Sequence, residues 1–202
     1  MTTTDRLPMV TPADWVAGPR QGQWTYSSYA ALTGEGQHYE IVDGVLYMTP
    51  SPSWSHQEIV GRLFRYLSTY IETANLGGVF VAPIDVELSP DNVFQPDVVV
   101  LLKTGREKLK GRHIVGTPDV IVEVVSPGSA TMDRHDKYQA YAKAKVPEYW
   151  IVEPGTQTVE LLVLTEERYR SLGVFQGKAI LPSSVLPGFE VQVDQFFVSA
   201  WA

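Results

Sequence analysis

The chain has 202 residues, of which 44% are hydrophobic, 11% aromatic and 19% charged. That composition supports one domain with a substantial core and excludes a disordered chain. The absence of cysteine excludes disulfides, thiolate zinc centres, iron–sulfur ligation and cysteine nucleophiles, and a net charge of −7 argues against coating nucleic acid by bulk electrostatics.

The first ten residues, MTTTDRLPMV, lack the basic-then-apolar layout of a secretory leader, and no apolar run approaches a membrane span. With no cysteine, this describes a cytoplasmic protein. Residues 1–23 carry Pro8, Pro12, Pro19, Gly18 and Gly22 and read as a loose, flexible N-terminal arm, leaving 24–202 as a single domain. Thr25 to Leu32 reads as a short helix ended by Gly34. Tyr39 to Thr49 reads as a hairpin about Asp43-Gly44, a favoured two-residue turn, and the chain breaks at Pro50 and Pro52.

A long helix is expected from about His56 to Thr73, with Ser55 and Glu58 as a capping box. Ile59, Val60, Leu63, Phe64, Leu67 and Ile71 form its apolar stripe, and His56, four positions before Val60, lies on that stripe. Val79 to Leu88 reads as strand interrupted at Pro83. The runs 97–102 and 120–125 are almost continuously apolar, as central strands covered on both faces are. A basic, glycine-containing surface segment, 103–117, joins them. A second helix is expected from Thr131 to Lys145, ended by Val146-Pro147. Strands follow near Tyr149 to Val152, Val159 to Leu164 and Tyr169 to Val174. The order gives an α/β (α+β) fold, a mixed sheet flanked by helices, not a regular βαβ winding.

Glu123 interrupts Val-Ile-Val-Glu-Val-Val, where period-two geometry puts Asp119, Ile121, Glu123 and Val125 on one face. An uncompensated carboxylate there would cost several kcal/mol, so it must be protonated, ion-paired or metal-bound. Asp97, after Pro96, opens the other valine-rich strand. Two such acids can converge on one cation, and oxygen ligands without cysteine favour Mg2+ or Mn2+. A turn cap and a structural ion pair explain the same pattern equally well. Lys137 shares a helix face with Asp133, Ala140, Tyr141 and Ala144, which points it inward or pairs it with Asp133. His56 and Glu40 have ordinary readings as a capping histidine and a half-exposed strand glutamate. Lys103, Arg106, Lys108, Lys110 and Arg112, opposed only by Glu107, suit phosphate contacts or a solvated loop. His38, His113 and His135 show no metal-ligand spacing. There is no G-x-S-x-G elbow, P-loop or dinucleotide glycine fingerprint.

Pro96-Asp97 with Glu123-Val124-Val125 resembles the signature of the PD-(D/E)xK, or restriction-endonuclease-like, superfamily. The ordered set Tyr39-Glu40-Ile41-Val42-Asp43-Gly44, Pro118 to Pro127, then Asp133, Lys137 and Tyr141, then Glu148-Tyr149-Trp150-Ile151-Val152 resembles the bacterial Uma family of candidate restriction endonucleases over about residues 24–195. The resemblance implies an endonuclease that hydrolyses DNA phosphodiesters with Mg2+ (or Mn2+), held by Asp97, Glu123 and the Val124 main-chain carbonyl. It implies a homodimer and Lys137 in the place of the signature lysine; in such a mechanism Glu40 or His56 would complete the acidic rim or touch the water from the hairpin and the long helix. Val125 stands where that signature has lysine, so the alternative is an inactive DNA-binding or scaffold protein on the same fold.

Overall fold

The structure, a computed structural model, describes residues 9–32, 38–199 and 201. The strands are β1 (Thr11–Pro12), β2 (His38–Val42), β3 (Val45–Thr49), β4 (Gly77–Val81), β5 (Asp85–Ser89), β6 (Asn92–Phe94) and β7 (Val98–Leu102). They continue with β8 (Leu109–Lys110), β9 (His113–Val115), β10 (Val120–Val124), β11 (Glu148–Glu153), β12 (Thr158–Thr165) and β13 (Arg168–Gln176). The helices are α1 (Tyr26–Tyr29), α2 (Trp54–Thr73) and α3 (Lys137–Lys143). The expected mixed architecture is present, but its strands divide between two sheets. One has the order β1-β3-β2-β6-β5-β9-β8, the other β13-β12-β11-β10-β7-β4.

Local chemistry sets the boundaries. Asp43 and Gly44 have φ of 46° and 75°, the left-handed pair that a tight hairpin turn needs. A side chain at Gly44 would meet the Gly22 backbone at 2.6 Å, so glycine is required there. Helix α2 begins earlier than expected: Ser53, not Ser55, caps it, its side chain accepting from the His56 N–H. The Ser55–Glu58 capping box therefore does not form. Ile59, Val60, Leu63, Leu67 and Ile71 are buried as expected, while Phe64 falls off the stripe and is 36% exposed.

Residues 9–23 depart from the expected loose arm. Thr11 and Pro12 pair with β3, Ala13 N–H donates to the Leu46 carbonyl, and Gly22 and Trp24 N–H groups both donate to the Gly44 carbonyl. The arm covers the hairpin because Ala13 and Trp24 are each 1% exposed there. Residues 1–8, and Gly34 as a helix stop, lie outside the described residues.

Strand β10 is fully buried and lies between β11, which it parallels, and β7, which it opposes. Val120, Val122 and Val124 face the core under α2, with Leu63, Leu67 and Trp150. Ile121 and Val125 face the opposite core with Phe94, Tyr141 and Tyr149. Glu123 shares that second face. The stretch expected as one strand interrupted at Pro83 is two strands in different sheets, β4 and β5, because the chain changes sheets at Ala82-Pro83. It changes sheets again at Gln95-Pro96-Asp97, between β6 and β7. The site lies at this seam.

The second helix opens with a π segment, Met132–Asp136, that runs into α3. Its end follows expectation: Lys145 is left-handed at φ 63°, followed by Val146-Pro147.

Candidate active site

Six of the side chains and backbone groups singled out in the sequence meet in one cleft of about 350 Å³: Glu40, His56, Asp97, Glu123, Val124 and Lys137. Strand β2 brings Glu40, the start of α2 brings His56, the seam before β7 brings Asp97, and the end of β10 brings Glu123 and Val124. Lys137 reaches in from the first residue of α3.

Asp97 is bound into β10. The Val124 N–H donates to its Oδ2 at 2.8 Å, and its own N–H donates to Glu123 Oε2 at 3.4 Å. His56 closes this half of the site. Its Nε2 lies 2.8 Å from the Val124 carbonyl oxygen and 3.2 Å from Asp97 Oδ2. Both partners are acceptors, so Nε2 carries the proton, while Nδ1 is buried with no hydrogen-bond partner. Burial opposes the imidazolium, but the hydrogen bond and charge of Asp97 and the Val124 carbonyl outweigh it, and the His56 pKa is raised.

Lys137 organises the other half. Its ammonium lies 2.9 Å from Glu123 Oε1, 3.1 Å from Glu40 Oε1 and 3.5 Å from Asp133 Oδ1. The Tyr141 hydroxyl donates to Glu123 Oε1 at 2.7 Å, the Gln95 N–H to Glu40 Oε1 at 2.9 Å, and the Ser129 hydroxyl to Asp133 Oδ2 at 2.6 Å. Burial pushes the Glu123 carboxyl well above the ordinary glutamate range; Lys137 opposes this, and Asp133, Asp97 and Glu40 add to it. Burial raises Asp133 too, against the pull of Lys137 and Ser129. For Lys137, burial disfavours the charge, yet Glu123, Glu40 and Asp133 hold its pKa well above the usual value. The lysine therefore stays charged, and Glu123 and Asp133 hold protons more tightly than exposed carboxylates do.

Sequence reasoning named Asp133 and Tyr141 as helical neighbours of Lys137 and in the family pattern, without a role of their own, and missed Gln95 and Ser129. The recurrence of Asp133, Lys137 and Tyr141 every four residues was the available signal. Gln95 acts through its main-chain N–H, which no side-chain pattern reveals.

The donor chemistry fits a hard cation: carboxylates of Asp97 and Glu123 and the Val124 carbonyl. Asp97 Oδ2 and the Val124 oxygen already converge on one donor, the His56 N–H. Among the described residues, however, no three His, Cys, Asp or Glu side chains stand close enough together to hold a metal. A bound ion would rely on two carboxylates and a main-chain oxygen, with His56 moved aside.

The basic segment does not line this cleft. Lys103 to Lys108 form a short 3-10 helix beyond the far end of β7, about 20 Å along the strand from Asp97. Lys103 N–H donates to the Leu76 carbonyl there, and Lys108 is tied down, its ammonium donating to the Thr117 carbonyl at 2.7 Å. Lys110 lies on the edge strand β8 of the seven-stranded sheet, with Arg112 beside it. The five basic residues therefore stand apart from the acids, because β7 carries the chain away from the carboxylates.

Two mixed sheets flanked by helices, with Asp97, Glu123 and a buried lysine at their seam, define a nuclease-like fold. A solved structure described as a putative nuclease belonging to DUF820 from Anabaena variabilis superposes with a TM-score of 0.72 at 17% sequence identity. The match covers 86% of this chain and 97% of that one. A family profile, Uma2, described as "Putative restriction endonuclease", matches residues 26–194, and the chain belongs to this family. No curated protein matches the sequence.

Proposed function

We propose that this chain is a metal-dependent endonuclease that hydrolyses phosphodiester bonds in DNA. The observation that carries the reading is the meeting of Asp97, Glu123, Val124 and Lys137 in one cleft, although they come from three elements. Membership of a family described as "Putative restriction endonuclease" supports it.

In this reading Asp97, Glu123 and the Val124 carbonyl hold Mg2+ or Mn2+. Such an ion, when bound, would polarise the scissile phosphate and lower the pKa of a water. Lys137 keeps a positive charge where negative charge develops on the phosphate oxygens. Tyr141 and Glu40 fix its reach, Tyr141 through Glu123 Oε1 and Glu40 directly. His56 holds a proton against Asp97 and Val124 until they are needed as ligands. Lys137 supplies from helix α3 the charge that Val125 cannot. DNA as substrate, a homodimeric assembly and a cytoplasmic location belong to the same proposal. No helix of the described residues is long and apolar enough to cross a membrane.

The test is nicking of supercoiled plasmid with Mg2+ or Mn2+ and with EDTA. We expect cleavage only with the ion, and its loss by at least about a hundredfold in Asp97→Asn and in Glu123→Gln. Cleavage by both variants at the wild-type rate would overturn the reading. Val125 at the signature lysine position is the ground for a second reading, a binding or scaffold protein that no longer cuts. DNA binding that is indifferent to metal and to Glu123→Gln, without hydrolysis, would establish it.

A further inference from the structure

The last turn of α3 borders a second groove, of about 470 Å³, at the end of the helix away from the acids. Tyr138, Gln139, Lys143, Lys145, Glu167 and Arg168 line it. Three cations face one carboxylate there, in a chain that carries 23 Asp and Glu against 16 Lys and Arg. A basic groove in an otherwise acidic protein selects an anion and fixes the side from which it approaches.

The three cations are uncommitted. Among the described residues Lys143, Lys145 and Arg168 make no salt bridge, whereas exposed Arg134, nearer the acids, is held by Glu160 at 3.2 Å and Glu153 at 3.8 Å. Lys143 acts on an acid, Asp91, only through its longer-range field. Lysines at a helix C-terminus complement its dipole, but that does not account for Arg168, which comes from β13. Lys145 is left-handed at φ 63°, in a position where glycine is the usual choice. The Lys108 ammonium lies close by: it donates to the Thr117 carbonyl, and the Thr117 hydroxyl donates to the Ala144 carbonyl, between the two lysines. The groove also ends a row of donors. Exposed His135, Gln139 and Lys143 follow at four-residue spacing, the Gln139 amide nitrogen 3.3 Å from the His135 ring. The inner face of the same helical segment carries Asp133 and Lys137 into the cleft. From Lys137 to Lys143 the helix advances about 9 Å, the length of roughly three base pairs of duplex.

We propose that this groove binds the phosphate backbone of DNA a few base pairs away from the acidic cleft, with Lys143, Lys145 and Arg168 as the phosphate contacts and Gln139 as a neutral donor. The assignment takes DNA as ligand from the nuclease reading but requires neither a metal nor hydrolysis. Backbone contacts of this kind hold the duplex in register and carry no base sequence. They also give the acidic chain a docking side where the phosphates meet cations instead of carboxylates.

The experiment is fluorescence anisotropy of a labelled duplex of about 24 base pairs, titrated with the full chain in EDTA over a range of KCl concentrations. For Lys143→Gln combined with Lys145→Gln, Kd should rise at least about tenfold at about 0.1 M KCl, and the slope of log Kd against log salt should fall by about 2. Arg168→Gln, on a different element, should raise Kd at least about threefold. Arg65→Gln combined with Lys178→Gln removes the same charge as the lysine pair from exposed positions elsewhere and should leave Kd within about twofold. A wild-type Kd in the lysine pair or in Arg168→Gln would overturn the proposal and leave the groove to an acidic protein segment. An equal loss in the Arg65–Lys178 pair would overturn it by reducing the effect to bulk charge. Weakened binding in the groove variants without metal-dependent nicking by the wild type would defeat the hydrolytic reading and leave this one standing. Metal-dependent nicking with an unchanged Kd in the lysine pair would do the reverse.

Discussion

Lys137→Met tests the energetics of the cluster directly. The substitution leaves Glu40, Glu123 and Asp133, each no more than 3% exposed, without their shared ammonium. Removing one partner of a buried ion pair costs roughly 3–5 kcal/mol. For a chain of this length that corresponds to a fall in Tm of about 10 °C. The loss depends on pH. Burial already raises the Glu123 and Asp133 pKa values, and without Lys137 they rise further. When the folded pKa of a carboxyl lies above its unfolded value, the unfolded chain releases its proton first as pH increases, so stability falls with rising pH. The deficit of the variant is therefore small near pH 4.5 and full near pH 8, with the window opening at about the unfolded carboxyl pKa. Urea denaturation followed by circular dichroism in EDTA, at both pH values, measures it. A deficit below about 1 kcal/mol at the higher pH, or an equal deficit at both, would refute the idea that Lys137 neutralises buried charge.

The raised His56 pKa predicts stabilisation that is complete below about pH 6.5 and is lost as pH rises through the folded value. Thermal melts of the EDTA-treated protein should show that loss, and His56→Gln should flatten it; an unchanged slope would count against the Asp97 contact. Glu148 is fully buried and accepts from Trp150, Ser183, Ser184 and Val185, so Glu148→Ala should cost at least about 3 kcal/mol. Faster amide exchange at Ser184 and Val185 would locate the damage. Lys103→Glu combined with Arg106→Glu should leave kcat on plasmid DNA within about twofold, because neither residue lines the cleft and Lys103 starts about 20 Å along β7 from Asp97. A collapse of kcat would place that segment at the reacting phosphate.

Local pattern revealed the elements because it is written in nearest neighbours. The β10 run, the Asp43-Gly44 turn and the α2 stripe needed only period and propensity. The α2 cap was misplaced by two residues because Ser53 and Ser55 are both competent acceptors, and the tertiary path of the chain from Pro52 selects between them. The arm was misread for a related reason. Pro12 and Gly22 suggest looseness, yet Ala13 and Trp24 supply the burial that fixes the segment against β3.

The sequence by itself determined that Glu123 would lie within one apolar strand, and Asp97 at the mouth of another, and that Glu123 would need compensation, since a charged group in a valine run has no local means of solvation. It also placed Lys137, Asp133 and Tyr141 on one helical face. Only the tertiary structure decided that Glu40 joins them, that His56 bridges Asp97 and Val124, and that the basic segment is carried away. Those outcomes depend on where the chain passes from one sheet to the other at Pro83 and Pro96. A sheet change is a long-range choice of partner strand, and no spacing along the chain encodes it.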